Sequence, residues 1–352
     1  MPLSTFGWTA FFEQHSTALR EQGLQFGRVS WLSRGIFNLY TEQGERRAQL
    51  SGRLRHRATR PSELPAVGDW VGFREHDGAC VIHAVLLRRS KFSRKTAGRA
   101  SEEQVLATNV DKVLLITGLD NDYNLRRIER YLAIGWESGA QPVVVLNKTD
   151  LCADIAARVI EAEDIALGAP VYAISSLTAE GLEQLGREIA PGQTVALLGS
   201  SGVGKTTLIN RLLGNDMFAT RPVRAGDDRG RHTTSSRSLI LLPSGALVMD
   251  TPGLRELQIW ESDEGLGRAF DEIETLATSC AFSDCQHGSE PRCAVRAAVE
   301  EGRLSAERLE NFHKLQRELR YLALRQDHSA QLAEKKRWKS INKAMRNFDK
   351  RK

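Results

Sequence analysis

An α/β fold built on a parallel sheet is predicted for the central part of this chain, on three observations. From about residue 105, fully apolar runs alternate with longer amphipathic or charged stretches, the texture of strands covered by helices on both faces. The runs are Lys112 to Thr117, Pro142 to Leu146, Val171 to Ile174, Thr194 to Leu198, Leu239 to Leu242 and Ala246 to Met249. Nearly every polar motif falls at the C-terminal end of one of them, the edge at which open α/β sheets bind ligands. Ahead of this region, short β-rich runs such as Gly27 to Trp31 and Asp69 to Phe73 sit among Gly and basic loops without helical periodicity, which predicts a small β-barrel of the OB type.

Taken in order, the chain divides into an N-terminal extension (1–25), the barrel (26–104), the α/β domain (105–272), a Cys/His-rich helical segment (273–330) and a basic tail (331–352). The extension carries an aromatic cluster, Phe6, Trp8, Phe11 and Phe12, to which the sequence assigns no role. In the helical segment Leu309, Phe312, Leu315, Leu319 and Leu322 share one face.

With 352 residues, 41% of them hydrophobic, the chain can bury a substantial core in two or three units. It has no apolar run near the ~18 residues that cross a bilayer and no signal-peptide pattern, so a soluble cytoplasmic protein is expected, with no membrane partner; a monomer is the expected state, although no feature of the sequence reports it. The formal charge of +5 is concentrated in Arg46 to Arg60 and Lys335 to Lys352. Such clusters suit a polyphosphate surface such as RNA, although a solvated face reads the same way. Of the five cysteines, Cys80 and Cys152 read as small buried residues, while Cys280, Cys285 and Cys293 are clustered.

Gly199-Ser200-Ser201-Gly202-Val203-Gly204-Lys205-Thr206 fits G-x-x-x-x-G-K-[ST], directly after one predicted strand and before a helical run beginning at Thr207. The glycines let successive amides turn inward around phosphates, Lys205 reaches the β and γ phosphates, and Thr206 ligates Mg²⁺. Asp250-Thr251-Pro252-Gly253 ends the strand at Met249, as an Mg²⁺-linked Asp250 and a γ-phosphate-sensing Gly253 should. Between them, Gly230-Arg231-His232-Thr233-Thr234 lies in a polar segment where a switch loop can bring a threonine, Thr233 or Thr234, to Mg²⁺.

Asn147-Lys148-Thr149-Asp150 follows another strand and has the N-K-x-D form that reads guanine. Asp150 can accept from guanine N1–H and the exocyclic amine, groups that adenine does not offer. Ser175 and Ser176, after the strand ending at Ile174, are placed to support the base. In most GTPases the phosphate loop comes first; here N-K-x-D precedes it, so the domain reads as circularly permuted. A parallel sheet tolerates this, because site geometry depends on which strand ends are neighbours in space. GTP/GDP and Mg²⁺ are the ligands these motifs imply.

Cys280, Cys285, His287 and Cys293 offer four ligands within fourteen residues, a full set that suits one closed structural Zn²⁺ site. The spacing is not C-x2-C, so spacing alone leaves unliganded thiols open.

Together these motifs closely resemble the bacterial ribosome small-subunit-dependent GTPase A family over about residues 25–330. The resemblance implies a circularly permuted P-loop GTPase domain with an N-terminal OB-type β-barrel and a C-terminal zinc-binding helical domain. It also implies binding to 16S rRNA in the small ribosomal subunit, GTP hydrolysis stimulated by that subunit, and a role in its late maturation. Leu254 stands where Ras-like enzymes place a water-orienting Gln, so slow intrinsic turnover is expected. His232 is the candidate for positioning water, with a solvent or rRNA contact as the other reading; Thr234 and Lys205 complete the catalytic candidates.

Overall fold

The structure is a computed structural model that describes residues 1–33, 35–76, 79–95, 103–166, 168–214, 237–250, 270–282, 284–288, 290–306, 308–310, 312–313 and 316. Met1–Gln258 and Ile259–Lys352 form two compact units.

In the first unit, a 3₁₀ turn (Leu3–Phe6) and α1 (Ala10–Glu21) lead into β1 (Gln25–Ser33), β2 (Ile36–Thr41) and β3 (Gly44–Leu50). A short exposed helix α2 (Gly52–Arg57), capped by the Ser51 side chain, then precedes β4 (Trp70–His76) and β5 (Ala79–Val85). The hydrogen-bonded order β1-β2-β3-β5-β4 closes because β4 also pairs with β1, Gln25 opposite Phe73. The one parallel pairing in the ring, β3 with β5, gives the five-stranded Greek-key barrel of the OB type. Alternation along the strands directs Val29, Phe37, Leu39, Ala48, Val71, Phe73 and Ile82 into its interior.

The aromatic extension folds onto this barrel. Phe6 stacks on Tyr40 with centroids 4.7 Å apart, and Trp8 meets Trp70 edge-on at 4.8 Å. The fully buried Arg28 pins the extension from below, donating to the carbonyls of Phe6 (2.5 Å), Asn109 (2.8 Å) and Gly68 (3.2 Å). Burial pushes its pKa down to about 10, the nearby Asp111 and Asp69 opposing, so the guanidinium stays charged at neutral pH.

After the barrel, β6 (Lys91–Lys95) and β7 (Glu103–Thr108) form a separate antiparallel pair. The α/β part then runs β8 (Lys112–Gly118), α3 (Leu125–Glu137), β9 (Gln141–Asn147), α4 (Ile155–Ala166), β10 (Val171–Ala173), α5 (Leu182–Glu188), β11 (Thr194–Leu198), α6 (Lys205–Leu213), β12 (Arg237–Leu241) and β13 (Leu247–Asp250). Its sheet order is β10-β9-β8-β11-β13-β12, parallel except at β12. All six predicted strands are present. The sheet also continues into the barrel, because β1 bends at a bulge after Val29 and pairs Trp31 with Ser238. Leu114, Ile116, Val143, Val145, Val195, Leu197 and Val248 are buried in the sheet against Val203, Leu208 and Ile209. Each such side chain contributes about 1.5–3 kcal/mol on burial, so the strand ends that carry the polar motifs rest on a firm platform.

Cys80 is buried as expected, whereas Cys152 is only half-buried, because it follows the exposed Asp150 and Leu151 of a 3₁₀ turn (Thr149–Leu151) rather than starting a packed helix. No helix among the described residues is long and apolar enough to cross a membrane.

In the second unit, α7 (Asp271–Ala277) and α8 (Ala294–Glu300) flank the Cys/His segment. Phe270, Ile273, Val295, Ala298, Leu304 and Phe312 form a small apolar core, and Arg308 lies over the Phe270 ring at 4.2 Å while pairing with Glu272 at 2.5 Å. Leu309 is half-buried and Phe312 buried; Leu315, Leu319, Leu322 and the basic tail lie outside the described residues.

Candidate nucleotide and metal sites

The C-terminal ends of β8, β9, β10, β11 and β13 lie along one edge of the sheet, since all five run parallel. The phosphate-loop residues Gly199 to Gly204 leave β11, and α6 starts at Lys205, two residues before the predicted helical run. Two glycines are dictated by space. A Cβ on Gly199 would stand 2.4 Å from the Ile116 carbonyl, and one on Gly204, whose φ is +98°, would stand 2.3 Å from Asn147 Nδ2. Gly202 also has positive φ, at +82°. Lys205 Nζ folds over the loop and donates to the carbonyls of Gly199 (2.7 Å) and Ser200 (2.5 Å). Ser201 is exposed, Val203 is buried, and Thr206 and Thr207 are half-buried on the first turn of α6. That turn presents amides and the positive end of a helix dipole to the loop, an anion-binding arrangement.

Asn147, 1% exposed, ends β9 and joins both halves of the site. Its Nδ2 donates to the Val203 carbonyl at 2.7 Å, and its Oδ1 accepts from the Ser176 amide (2.9 Å) and hydroxyl (3.0 Å). Lys148 adopts a left-handed conformation, φ +67°, which costs on the order of 1 kcal/mol and is held by its surroundings. The Thr149 amide donates to the Ile174 carbonyl at 3.2 Å. The Ser175 hydroxyl donates to Asp150 Oδ1 at 2.5 Å while accepting from the Thr178 amide, which orients the carboxylate that the sequence assigns to the base. The structure therefore joins Asn147 directly to Val203 of the phosphate loop, 56 positions further along the chain, and joins Ser176 to the same Asn147 side chain, while Ser175 and Asp150 bond to one another. Asp250 ends β13, beside β11, with its backbone paired to Ser238. His232, Thr233, Thr234, Thr251, Pro252, Gly253 and Leu254 lie outside the described residues.

Three contributors were not read from the sequence. Asp120 and Asp122, in the loop after β8, contact Lys148 and Ser200. Arg211 of α6 donates to the carbonyls of Ser176 (3.1 Å) and Leu177 (2.7 Å) and fixes the base loop to the phosphate-loop helix. The signal available was position: the aspartates follow a predicted strand at the same edge as every motif.

In the second unit the ligand atoms of Cys280, Cys285, His287 and Cys293 lie within 4.8 Å of one another. His287 Nδ1 is 3.7 Å from Cys280 Sγ and 3.5 Å from Cys293 Sγ, and those two sulfurs are 3.9 Å apart. A tetrahedron with metal–sulfur bonds of about 2.3 Å has edges of about 3.5–3.8 Å, so the donor set fits a closed zinc site. Burial pushes the His287 pKa below its ordinary value, toward the neutral ring that ligates.

A phosphate loop on a central parallel strand, with an N-K-x-D motif upstream in the chain and adjacent in space, defines a circularly permuted P-loop GTPase. Comparison with known proteins agrees: the family described as RsgA GTPase matches residues 85–260, and that described as 50S ribosome-binding GTPase matches residues 194–343. The chain belongs to the RsgA GTPase family, and it is a GTP hydrolase. The protein named small ribosomal subunit biogenesis GTPase RsgA of Opitutus terrae is 48% identical over 98% of this chain and 97% of its own. The RsgA 2 protein of Lactiplantibacillus plantarum is 48% identical over 87% of this chain and 86% of its own. YjeQ from Thermotoga maritima superimposes with a TM-score of 0.67 at 29% identity, covering 84% of this chain and 98% of that one. YloQ, described as a circularly permuted GTPase, gives 0.63 at 24% identity over 84% and 95%, a likeness of fold.

Proposed function

We propose that this chain is a GTP-hydrolysing switch in late maturation of the small (30S) ribosomal subunit, acting in the cytoplasm as a monomer, binding 16S rRNA, with turnover stimulated by the subunit. The observation that carries the reading is the cross-braced edge at which Asn147, itself held by Ser176, bonds to Val203 of the phosphate loop, with Asp150 oriented beside it by Ser175. Relatives matching nearly the whole chain are named for small-subunit biogenesis. Asp150, oriented by Ser175, reads guanine; Gly199 to Thr207 cradle the phosphates, with Lys205 turning from the loop carbonyls toward them. Thr206, Asp250 and Thr234 hold Mg²⁺, directly or through water, which neutralises charge on the phosphates, and Gly253 senses the γ-phosphate. His232 positions the attacking water in the RNA-bound protein.

The barrel supplies a basic face that supports rRNA docking. Arg47 on β3, and Arg53, Arg55, Arg57 and Arg60 in and after α2, are all exposed, and α2 buries no side chain. A helix that contributes nothing to a core and carries only basic charge fits a phosphate backbone. Zinc held by Cys280, Cys285, His287 and Cys293 stabilises the helical unit, whose apolar core among the described residues is thin.

The test is hydrolysis of GTP and ATP by the purified protein, alone and with small or large subunits, at two salt concentrations. GTP-only turnover raised by small subunits and weakened by salt is expected. Stimulation by neither subunit, or equal use of ATP, overturns the partner or the base assignment respectively.

A further inference from the structure

The loop from Leu119 to Asn124, between β8 and α3, belongs to no nucleotide motif, yet it touches both the N-K-x-D motif and the phosphate loop. Asp120 Oδ2 accepts from Lys148 Nζ at 2.5 Å, and Asp120 Oδ1 accepts from the Asp122 amide at 3.1 Å. Asp122 Oδ2 accepts from the Ser200 hydroxyl at 2.5 Å, while its Oδ1 is held by Arg127 at 2.8 Å. Arg127 also donates to the Asp122 backbone carbonyl. Tyr123 donates to the Arg158 carbonyl at 3.3 Å and stacks its ring under the Arg158 guanidinium, 4.9 Å away, on the helix that follows N-K-x-D.

Two carboxylates beside a cradle for polyphosphate oppose the electrostatics of binding, and each is offset by its own cation, Lys148 for Asp120 and Arg127 for Asp122. Partial burial works to raise the Asp120 pKa, but the Lys148 ammonium and the Asp122 amide outweigh it and hold the carboxyl below its ordinary value. The Ser200 limb is gripped from two sides, its hydroxyl by Asp122 and its carbonyl by Lys205.

We propose that Asp120 and Asp122 are positioning residues of the nucleotide site: Asp120 sets Lys148 at the base, Asp122 sets the Ser200 limb of the phosphate loop, and this one loop governs nucleotide release. The proposal rests on the guanine-nucleotide reading given above. Both residues act through Lys148 and Ser200. A nucleotide leaves when the phosphate loop relaxes, so a loop that loses its brace opens sooner.

The experiment follows release of a fluorescent GDP analogue from the full-length protein, chased with excess GDP, in Asp122→Ala, Ser200→Ala and the double variant. Loss of one charge-assisted hydrogen bond predicts release faster by about tenfold or more in either single variant, and no faster in the double, since both remove the same bond. Asp122→Asn keeps an acceptor for the Ser200 hydroxyl and should release GDP within about threefold of the unmodified protein. The same non-additivity is expected for Asp120→Ala with Lys148→Ala. Multiplicative effects in the double variants, or unchanged release in Ser200→Ala, overturn the proposal. Should Asp122→Ala fail to fold, as judged by its unfolding midpoint without nucleotide, Ser200→Ala and Asp122→Asn decide alone. Absence of saturable GDP binding by the unmodified protein removes the guanine reading and this proposal with it, and is visible before any variant is made.

Discussion

The Asn147 side-chain amide donates to the Val203 carbonyl at 2.7 Å, joining the end of β9 to the phosphate loop over 56 positions of sequence. The orientation of that amide is fixed from its other side, because the Ser176 amide and hydroxyl both need the oxygen. β9 and β11 are separated in the sheet by β8, so the bond spans two strand widths above the sheet edge. It depends only on which strand ends are neighbours, which is why a permuted chain order leaves it intact.

Replacing Asn147 with Ala removes the partner of a buried carbonyl and of a buried amide at once. A stability loss of about 2–4 kcal/mol is expected in urea unfolding without nucleotide. GDP affinity should fall by about tenfold or more in a fluorescence titration, because the base motif and the phosphate loop lose their link. Unchanged affinity alongside reduced stability would confine Asn147 to a structural role.

Much of this site was legible because its chemistry is written in contiguous residues. Gly199 to Thr206 and Asn147 to Asp150 announce themselves by spacing, and the apolar runs before them place both on strand ends. Asp120, Asp122 and Arg211 were not legible in that way. An aspartate in a polar loop and an arginine on a helix look like solvated surface until the fold shows that they reach Lys148, Ser200 and the Ser176 carbonyl. Arg28 was hidden for a related reason: one charge in a β-rich run gives no hint that three carbonyls from distant segments converge on it. The same holds for the aromatic extension, whose partners Tyr40 and Trp70 lie tens of residues away.

Arg28→Met keeps much of the volume and removes all five donors. The carbonyls of Phe6, Gly68 and Asn109 are then left without that partner inside the protein, at a cost of about 3–5 kcal/mol. Arg28→Lys should recover little, because one ammonium cannot reproduce the planar fork that reaches three directions. Chemical unfolding of both variants checks this, and a lysine variant as stable as the unmodified protein would contradict it.

The helical unit is expected to need its metal. One zinc per chain should be measured by elemental analysis, and Cys293→Ser should lose it, since it removes one of four ligands while keeping an oxygen to cap α8 at the Arg296 amide. Chelation at neutral pH should open the region around α7 and α8 to limited proteolysis while the barrel and the parallel sheet of the first unit keep their protection. Full protection of the region after chelation would show that Phe270, Val295 and Phe312 suffice to hold it.

The acid side of the stability profile should reveal Glu188. Its Oε1 pairs with Lys112 at 2.5 Å and its Oε2 accepts from the Tyr172 hydroxyl at 2.7 Å, tying α5 to β8 and β10. The Lys112 ammonium, with the Tyr172 bond and against partial burial, holds the carboxyl below its ordinary value. A folded-state pKa lower than the unfolded one, about 4.3, means that the unfolded chain binds the proton more readily. The stabilisation is therefore complete above that unfolded value and is lost as pH falls through the lower folded one. Unfolding free energies of the unmodified protein and Glu188→Gln should differ by a constant amount between about pH 6 and 8, and converge below about pH 4. A difference that persists undiminished into acid would mean that the glutamine disrupts packing between α5 and β8 and that the charge of Glu188 contributes little.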